Sequence, residues 1–254
     1  MIDAHAHLDD PKLAADLDDV IARARVAGID RILSCGDDLA SSRRTLHIAR
    51  RHDIVRVAVG VHPHRAASWD ADAAPALREL ASDQRVVAIG EIGIDLSGRS
   101  APREAQERAF AAQLALAREL GLPAVVHVRD AGDAARAIVD TVPGAAGMIH
   151  CFSEGPDQAR EWLRRGFAVS FAGPVTYPKN ASLRAAAAVL PVDALLVETD
   201  APYLAPQGRR GSRNEPAYVL EALAAVAEAQ GVPPGVLAEA VTANARRIFG
   251  RRWL

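Results

Sequence analysis

Most histidines in this sequence stand at the end of short apolar runs or directly after them. The chain contains eight histidines, and six of them have this placement: His5, His7, His62, His64, His127 and His150. The carboxylates Glu91 and Asp200 follow two further runs. Neutral imidazole and carboxylate are ligands for Zn, Mn or Fe, while Mg prefers oxygen atoms and retained water. The pattern predicts a divalent-metal centre with the ligands His5, His7, Glu91, His127, His150 and Asp200.

The spacing of these residues indicates how they share ions. His5 and His7 are two residues apart in a predicted strand, so both imidazoles lie on one side of it and reach one ion. Five or six ligands around one central carboxylate can hold two ions about 3.5–4 Å apart. We therefore predict two divalent cations (Mg²⁺, Mn²⁺ or Zn²⁺) with Glu91 as the bridging ligand. His47 and His52, in a helical stretch and at its end, are predicted to be surface residues.

Eight short runs of strand-forming residues position these side chains. They cover residues 2–5, 31–35, 55–60, 86–90, 124–127, 147–150, 167–170 and 195–198. The stretches between them are rich in Ala, Leu, Arg and Glu and have the periodicity of amphipathic helices. In one stretch Phe110, Leu114 and Ala117 share an apolar face, and residues 121–123, Gly-Leu-Pro, form a helix stop.

Strand and helix alternate eight times, which is typical of parallel βαβ units. We predict an α/β fold, a (β/α)₈ TIM barrel, with residues 1–254 as a single domain, because barrels commonly have this length. An open, doubly wound sheet can also carry eight strands and stays an alternative. In a barrel the carboxyl ends of the strands form the mouth that holds the active site. We therefore expect the six predicted ligands to converge there.

Composition limits the partners and the compartment. The chain has 254 residues, half of them apolar, and a formal net charge of −2, so no global basic field draws it to nucleic acid or to a membrane. Cys35 and Cys151 have no metal-finger or disulfide-framework spacing and are predicted to be reduced thiols. No signal peptide or long apolar segment is present, which predicts a cytoplasmic protein without a membrane partner.

Arginines near the predicted mouth are candidate phosphate contacts. Arg129 is two residues beyond His127 and should point the same way, and Arg209, Arg210 and Arg213 lie in a long Pro/Gly/Arg loop after the eighth strand. The planar guanidinium binds phosphate or carboxylate oxygens in pairs. For the three loop arginines, simple solvation is the alternative interpretation.

Several motifs in one order resemble the TatD-type deoxyribonucleases, a branch of the metal-dependent hydrolases. They span nearly the whole chain, at residues 3–8 (DAHAHL), 60–64 (GVHPH), 90–95 (GEIGID), 127–129 (HVR), 150–153 (HCFS), 198–203 (ETDAPY) and 214–216 (NEP). A lone His-x-His would be weak, but this ordered set is highly specific. The sequence departs from the family pattern at residues 96–98 (LSG), where aromatic residues are common, and at Glu154, which separates the serine from its usual glycine. Both departures leave the ligands intact and bear on substrate contacts.

The resemblance implies a (β/α)₈ barrel that hydrolyses phosphodiesters of DNA with divalent metals, as a 3′→5′ exonuclease preferring single strands. By this resemblance one metal is held by His5, His7, Glu91 and Asp200, and a second by Glu91, His127 and His150. It also places His62, His64 and Arg129 beside the substrate phosphate. Members have further been linked to the removal of D-amino acids from tRNA, which keeps an ester substrate open.

The chemistry assigns two of these carboxylates a catalytic role. Asp200 is the candidate that orients and deprotonates the attacking water, and Glu91 is the candidate that joins the metals. A metal-dependent amidohydrolase or esterase on the same barrel is the first alternative, and the basic groups beside the ligands favour phosphate over it. A non-catalytic metal-binding scaffold is the second, and the intact ligand set argues against it. The sequence leaves open the metal, the polarity of digestion and the oligomeric state, for which a monomer is plausible.

Overall fold

Eight parallel strands form one sheet in the computed structural model, which describes residues 1–98 and 101–254. Their order in the sheet is the order in the chain. The strands are β1 Ile2–Ala6, β2 Arg31–Cys35, β3 Val55–Val59, β4 Val86–Asp95, β5 Ala124–Arg129, β6 Gly147–Ile149, β7 Phe167–Phe171 and β8 Leu195–Val197. All eight predicted strands are present.

Helices alternate with the strands and cover the outside of the sheet. They are α1 Leu17–Val26, α2 Leu39–Arg51, α3 Ala73–Leu80, α4 Arg103–Leu120, α5 Gly132–Asp140, α6 Pro156–Arg164, α7 Ala181–Val189, α8 Val219–Gln230 and α9 Pro234–Phe249. In the part of the chain that the structure describes, no helix combines the length and the apolar character needed to cross a membrane.

The ring of strands closes between β8 and β1. Ala6 pairs with Ala201 in a parallel bridge. The amide of Asp200 donates to the carbonyl of His5 at 3.0 Å, and the amide of His7 donates to the carbonyl of Ala201 at 2.7 Å. Sequential order and this closure confirm the barrel and exclude the open doubly wound sheet, which needs a reversal of strand order.

The amino-terminal end of the barrel is covered by the end of the chain. Trp253 is buried and stacks on Phe249 with 4.7 Å between ring centroids. Arg31, at the start of β2, donates to the Trp253 carbonyl at 3.0 Å, and Arg56 of β3 donates to the Arg252 carbonyl at 2.8 Å. Because this end is closed by backbone contacts, the carboxyl end of the barrel is the one left for chemistry.

Helix α4 has the periodicity that the sequence predicted. Phe110, Leu114 and Ala117 are buried, and the helix ends at Leu120. Gly121 follows with φ 64°, a left-handed conformation that costs little without a Cβ. The predicted helix stop is therefore confirmed.

Strand β4 is five residues longer than the predicted run, which ended at residue 90. Gly and Glu are poor strand formers, so the pattern appeared to stop there. The strand continues because Ile92 and Ile94 alternate with Glu91, Gly93 and Asp95 and are fully buried. One face of the strand carries apolar side chains and the other carries the two carboxylates.

The two remaining histidines differ from each other. His47 is exposed, as predicted. The surface prediction was wrong for His52, whose side chain is only 15% exposed because it turns at the end of α2 toward α1. Its Nε2 lies 3.1 Å from Asp18 Oδ1. Cys35 and Cys151 are free thiols, as predicted.

Candidate metal centre

The six predicted metal ligands come together at the carboxyl end of the barrel. His5 lies on β1, Glu91 on β4 and His127 on β5. His7 and His150 directly follow β1 and β6, and Asp200 lies three residues after the end of β8. All but His5 line a cavity of about 500 Å³, and His5 lies buried against Glu91. The sequence expectation of one shared mouth is met.

The first cluster contains His5, His7, Glu91 and Asp200. The two Nε2 atoms of the histidines are 3.2 Å apart. Glu91 Oε2 lies 3.3 Å from His5 Nε2 and 3.5 Å from His7 Nε2. Asp200 Oδ1 lies 3.6 Å and 3.4 Å from the same two nitrogens. These five separations are close to the spacing of donor atoms that each lie about 2.0–2.2 Å from one cation, which is the length of Zn–N and Zn–O bonds.

The second cluster forms around the other oxygen of Glu91. Glu91 Oε1 lies 2.8 Å from His150 Nε2 and 2.9 Å from His127 Nδ1, and these two nitrogens are 3.0 Å apart. His62 Nε2 also approaches Oε1, at 3.3 Å. Three imidazoles therefore face one carboxylate oxygen, a donor set that suits a second divalent cation.

Glu91 is the group that the two clusters share. Its side chain is buried, its two oxygens face opposite clusters, and Oε2 has no hydrogen-bond partner within the described part of the chain. Burial alone would raise the pKa of Glu91, but the neighbouring His150, His62 and His5 hold it well below its usual value. A buried carboxylate that is ionised and only partly hydrogen-bonded fits a bridging metal ligand.

Supporting groups hold the second nitrogen of three of these histidines, while His7 Nδ1 is buried without a hydrogen-bond partner among the described residues. His5 Nδ1 lies 3.3 Å from Cys35 Sγ, and His7 Nδ1 lies 3.4 Å from Asp37 Oδ1. His127 and His150 have carboxylate partners, Asp95 at 3.3 Å and Glu198 at 3.1 Å. Such contacts fix the ring orientation and the tautomer, so that the other nitrogen faces the cluster.

Carboxylates in the cavity raise the proton affinity of His7 and His150. Burial lowers the pKa of His7, yet its hydrogen bond to Asp200 and the charges of Asp37 and Glu91 raise that pKa to about 10. For His150, burial is outweighed by Glu91 and Glu198, and its pKa rises well above the usual value. Groups that hold protons this firmly beside ionised carboxylates form a site of high affinity for positive charge. Metal ions can replace those protons.

A buried carboxylate also fixes the closing segment. Asp3 accepts from the amide of Thr199 at 2.9 Å and from its hydroxyl at 2.6 Å, while the amide of His5 donates to it at 3.3 Å. Burial raises the pKa of Asp3 to about 8. Asp3 thus couples the ligand strand β1 to the residue preceding Asp200.

Of the predicted substrate contacts, the two histidines line the catalytic cavity and Arg129 does not. His62 and His64 line the cavity, and His64 Nε2 lies 2.8 Å from Asp95 Oδ2. Arg129 is exposed and lines a neighbouring groove instead of the cavity itself.

The loop arginines lie apart from the cavity lining. Arg209 donates to Glu221 at 2.9 Å, and Arg213 donates to Asp16 at 2.6 Å. Arg210 lies over the ring of Tyr177 at 4.7 Å. Asn214 anchors this loop with hydrogen bonds from its amide nitrogen to the carbonyls of Thr199 and Tyr203. Two of the three arginines therefore have carboxylate partners in the fold.

Several site residues were not singled out from the sequence. Asp95 and Glu198 stand in the motifs around Glu91 and Asp200, but hydrogen-bonding partners of ligands have no spacing rule of their own. Asp37, Arg65 and Tyr203 line the cavity as well. Asp95 could have been found by alternation, since residues 91 and 95 share a strand face once β4 is known to continue.

This arrangement can activate water and stabilise a charged transition state. The two donor clusters share one carboxylate, as in sites that hold two cations for hydrolysis. Asp200 is ionised, because His7, His150 and His5 outweigh its burial and lower its pKa, so it can accept a proton.

Comparisons with known proteins agree with this description. The chain is 35% identical to the uncharacterized metal-dependent hydrolase YabD of Bacillus subtilis, with 98% of each chain covered. It is 39% identical to the 3′-5′ ssDNA/RNA exonuclease TatD of Cronobacter sakazakii, over 98% of this chain and 97% of that one. The crystal structure of a TatD homologue from Escherichia coli superposes with a TM-score of 0.91 at 30% identity, covering 98% and 97%. The profile of the family described as TatD related DNase matches residues 2–250, and the chain belongs to that family.

Proposed function

We propose that residues 1–254 act as one metal-dependent phosphodiesterase domain that removes nucleotides from the 3′ end of single-stranded nucleic acid. The observation that carries the proposal is that the carboxylate of Glu91 belongs to both clusters of donor atoms. Its Oε2 lies near His5 and His7, and its Oε1 lies near His127 and His150. Relatives that cover nearly the whole chain are named 3′-5′ ssDNA/RNA exonucleases, which supports the substrate class and the polarity.

Two divalent cations fit this site, one held by His5, His7, Glu91 and Asp200 and the other by Glu91, His127 and His150. The nitrogen-rich donor set favours Zn²⁺ or Mn²⁺ over Mg²⁺, which prefers oxygen ligands. When bound, the cations would polarise the phosphate, neutralise developing charge and make the attacking water more acidic.

The side chains of this protein then perform the proton transfer and the orientation. Asp200, ionised and at the edge of the cavity, takes a proton from the attacking water, whose oxygen forms the new bond to phosphorus. The bond from phosphorus to the neighbouring sugar oxygen breaks, and that oxygen takes up a proton from solvent water. His62, His64 and Arg129 are the proposed phosphate contacts, since the two histidines line the cavity and Arg129 lines the neighbouring groove.

The loop arginines are weaker candidates for this role. Arg209 and Arg213 are engaged by Glu221 and Asp16, so a phosphate contact requires those ion pairs to open. Arg210 has no such carboxylate partner within the described residues and keeps its guanidinium near the rim.

The test uses oligonucleotides that report polarity and substrate class together. Purified protein is stripped with a chelator, reloaded with Mg²⁺, Mn²⁺ or Zn²⁺, and given single-stranded DNA, duplex DNA and RNA. A 3′ label should appear at once as mononucleotide, while a 5′ label should pass through progressively shorter strands. Hydrolysis of esters or lactones without nucleotide release under any metal would overturn the proposal in favour of an amidohydrolase or esterase.

A further inference from the structure

A second cavity lies beside the catalytic one and contains aromatic, apolar and basic side chains. We call it the Tyr177 groove; its volume is about 390 Å³, within the range of small-molecule sites, and its lining includes Arg129, Cys151, Phe152, Tyr177, Lys179 and Leu204. Tyr177 is half-buried, and its hydroxyl donates to the Ala205 carbonyl at 2.7 Å, which fixes the ring. The groove therefore has a preformed aromatic wall.

The groove is basic although the chain as a whole is slightly acidic. Arg129 and Lys179 are exposed, and among the residues that the structure describes neither has a carboxylate within 4 Å. Arg210 adds a third positive charge, held 4.7 Å from the centroid of the Tyr177 ring. Asp130 is the carboxylate among the lining residues. Two lining cations against one lining carboxylate, with Arg210 close by, leave a local positive charge available to an anion.

The amino end of α7 opens into the same groove. Asn180, at the N-cap position, and Ser182, in the first turn, belong to its lining. Amide groups in the first turn of a helix have no partner within the helix and favour negative charge. The amino end of α7 and the side-chain cations therefore both favour a negatively charged group in the groove.

The groove and the catalytic cavity are lined by residues that are neighbours in the sequence. His127 and His150 line the cavity, and two residues close to them in sequence, Arg129 and Cys151, line the groove. Asp130, Cys151 and Leu204 all have positive φ, of 52°, 43° and 50°. Non-glycine residues seldom adopt this conformation, and its concentration at functional rims is a known pattern.

We propose that the Tyr177 groove binds the nucleotide adjacent to the scissile phosphate, a statement that rests on the proposed nuclease function. Its phosphate lies against Lys179, Arg129 and the amino end of α7. Its base packs on the surface formed by Tyr177 and Leu204, beside the Arg210 guanidinium that lies over the Tyr177 ring. Aromatic and guanidinium planes stack on any base, so this contact selects single strands without selecting sequence. In a duplex the bases are paired and stacked and are not available to this wall.

The experiment compares two substrates that differ in whether they fill the groove. A four-nucleotide single-stranded DNA reaches it, while the p-nitrophenyl ester of thymidine 5′-monophosphate has one phosphodiester and no nucleotide beyond it. Lys179→Gln and Tyr177→Leu are measured with Arg246→Gln as the charge control, since Arg246 is exposed on α9 and lines no described cavity. The ratio of kcat/KM for the oligonucleotide to that for the ester should fall about fivefold to tenfold in both groove variants, mainly through KM. It should stay at the wild-type value in the control.

Two further readouts separate binding from folding. Lys179→Gln should make the log–log dependence of oligonucleotide KM on salt shallower by about 0.7, the change for one phosphate contact on a single strand. Tyr177→Phe keeps the ring and loses the hydrogen bond to Ala205, so it should rescue the ratio that Tyr177→Leu lowers. If both groove variants keep the wild-type ratio and slope, the groove assignment is wrong while the nuclease function stands. If wild-type protein releases no nucleotide from the oligonucleotide, the proposed function fails and the groove assignment falls with it.

Discussion

At the scale of single residues, the two nitrogens of His5, of His127 and of His150 have different roles. One nitrogen faces the shared carboxylate, and the other is held by a group in the fold, such as Glu198 behind His150 or Asp95 behind His127. The facing groups could be predicted from the sequence because they end the strands of a barrel. The supporting groups could not, since their partners are set by how the strands pack around the barrel.

The first prediction concerns the shared carboxylate. Glu91→Gln keeps the shape of the side chain but loses its charge, so it should lower nuclease activity more than about a thousandfold, equivalent to about 4 kcal/mol of transition-state stabilisation. Activity, metal content and circular dichroism are measured on the same preparation. Glu119→Gln, which removes an exposed carboxylate paired with Arg78, is the control and should behave as wild type. Full activity of a folded, metal-poor Glu91→Gln protein would contradict the proposed role of the carboxylate.

The second prediction concerns a supporting group. Glu198 Oε1 accepts from the Cys151 amide at 2.7 Å and contacts His150 Nδ1, and its side chain is fully buried. Glu198→Gln should weaken metal binding about 10–100-fold, because the amide is a poorer acceptor and holds the His150 ring less firmly. Titration against a competing chelator measures the affinity. Glu161→Gln on the surface of α6 is the matched control. An unchanged metal affinity in a folded Glu198→Gln variant would show that Glu198 serves packing only.

At the scale of elements, the strand with the least strand-like sequence carries the central ligand. β4 contains Gly90, Glu91 and Gly93, and these residue types have low strand propensity. The strand is stabilised by its pairing with β5, which runs from Ile92↔Val126 to Asp95↔Arg129. Seven other strands could be located from composition and alternation to within two residues at their ends. The five-residue error on β4 arose because tertiary pairing overrode local preference at the functional site, where such conflicts are expected.

The third prediction tests why glycine is required in this strand. Gly93 has φ 143°, and a Cβ there would lie 1.9 Å from the backbone oxygen of His127. Gly93→Ala should therefore separate β4 from β5 and lower the free energy of unfolding by at least about 2 kcal/mol. Gly235→Ala is the control, because a Cβ at that position in α9 meets no atom within 4 Å and alanine favours the helix. Equal unfolding midpoints in denaturant for the two variants would contradict this account of the contact.

At the scale of the whole molecule, the two ends of the barrel serve different purposes. The amino end is covered by the last turn of the chain, through Trp253 and the arginines that bind its carbonyls. The carboxyl end holds the histidines and carboxylates of the candidate metal centre. The overall barrel could be predicted from the alternation of elements, whereas closure could not, because it depends on two backbone hydrogen bonds between the end of β1 and the residues that follow β8. In the metal-free protein the mouth is where buried ionisable groups and polar atoms without a hydrogen-bond partner are concentrated, such as Glu91 Oε2 and His7 Nδ1.

The last prediction follows from that concentration. Cations that bind the folded mouth and not the unfolded chain stabilise the fold by about 2.7 kcal/mol when the free metal is a hundredfold above Kd. For a chain of this length about 1 kcal/mol moves the Tm by roughly 2–4 °C, so a chelator should lower the Tm by about 5–11 °C and added metal should restore it. The effect should grow from pH 6 to pH 8. In the metal-free protein the pKa of His7 is raised to about 10, so cations compete with a bound proton, and they compete better as pH rises. Glu91→Gln should lose most of the shift while Glu119→Gln keeps it. A Tm that does not respond to chelation or metal in the wild type, at either pH, would show that the mouth holds no stabilising cation and would remove the metal centre from the mechanism.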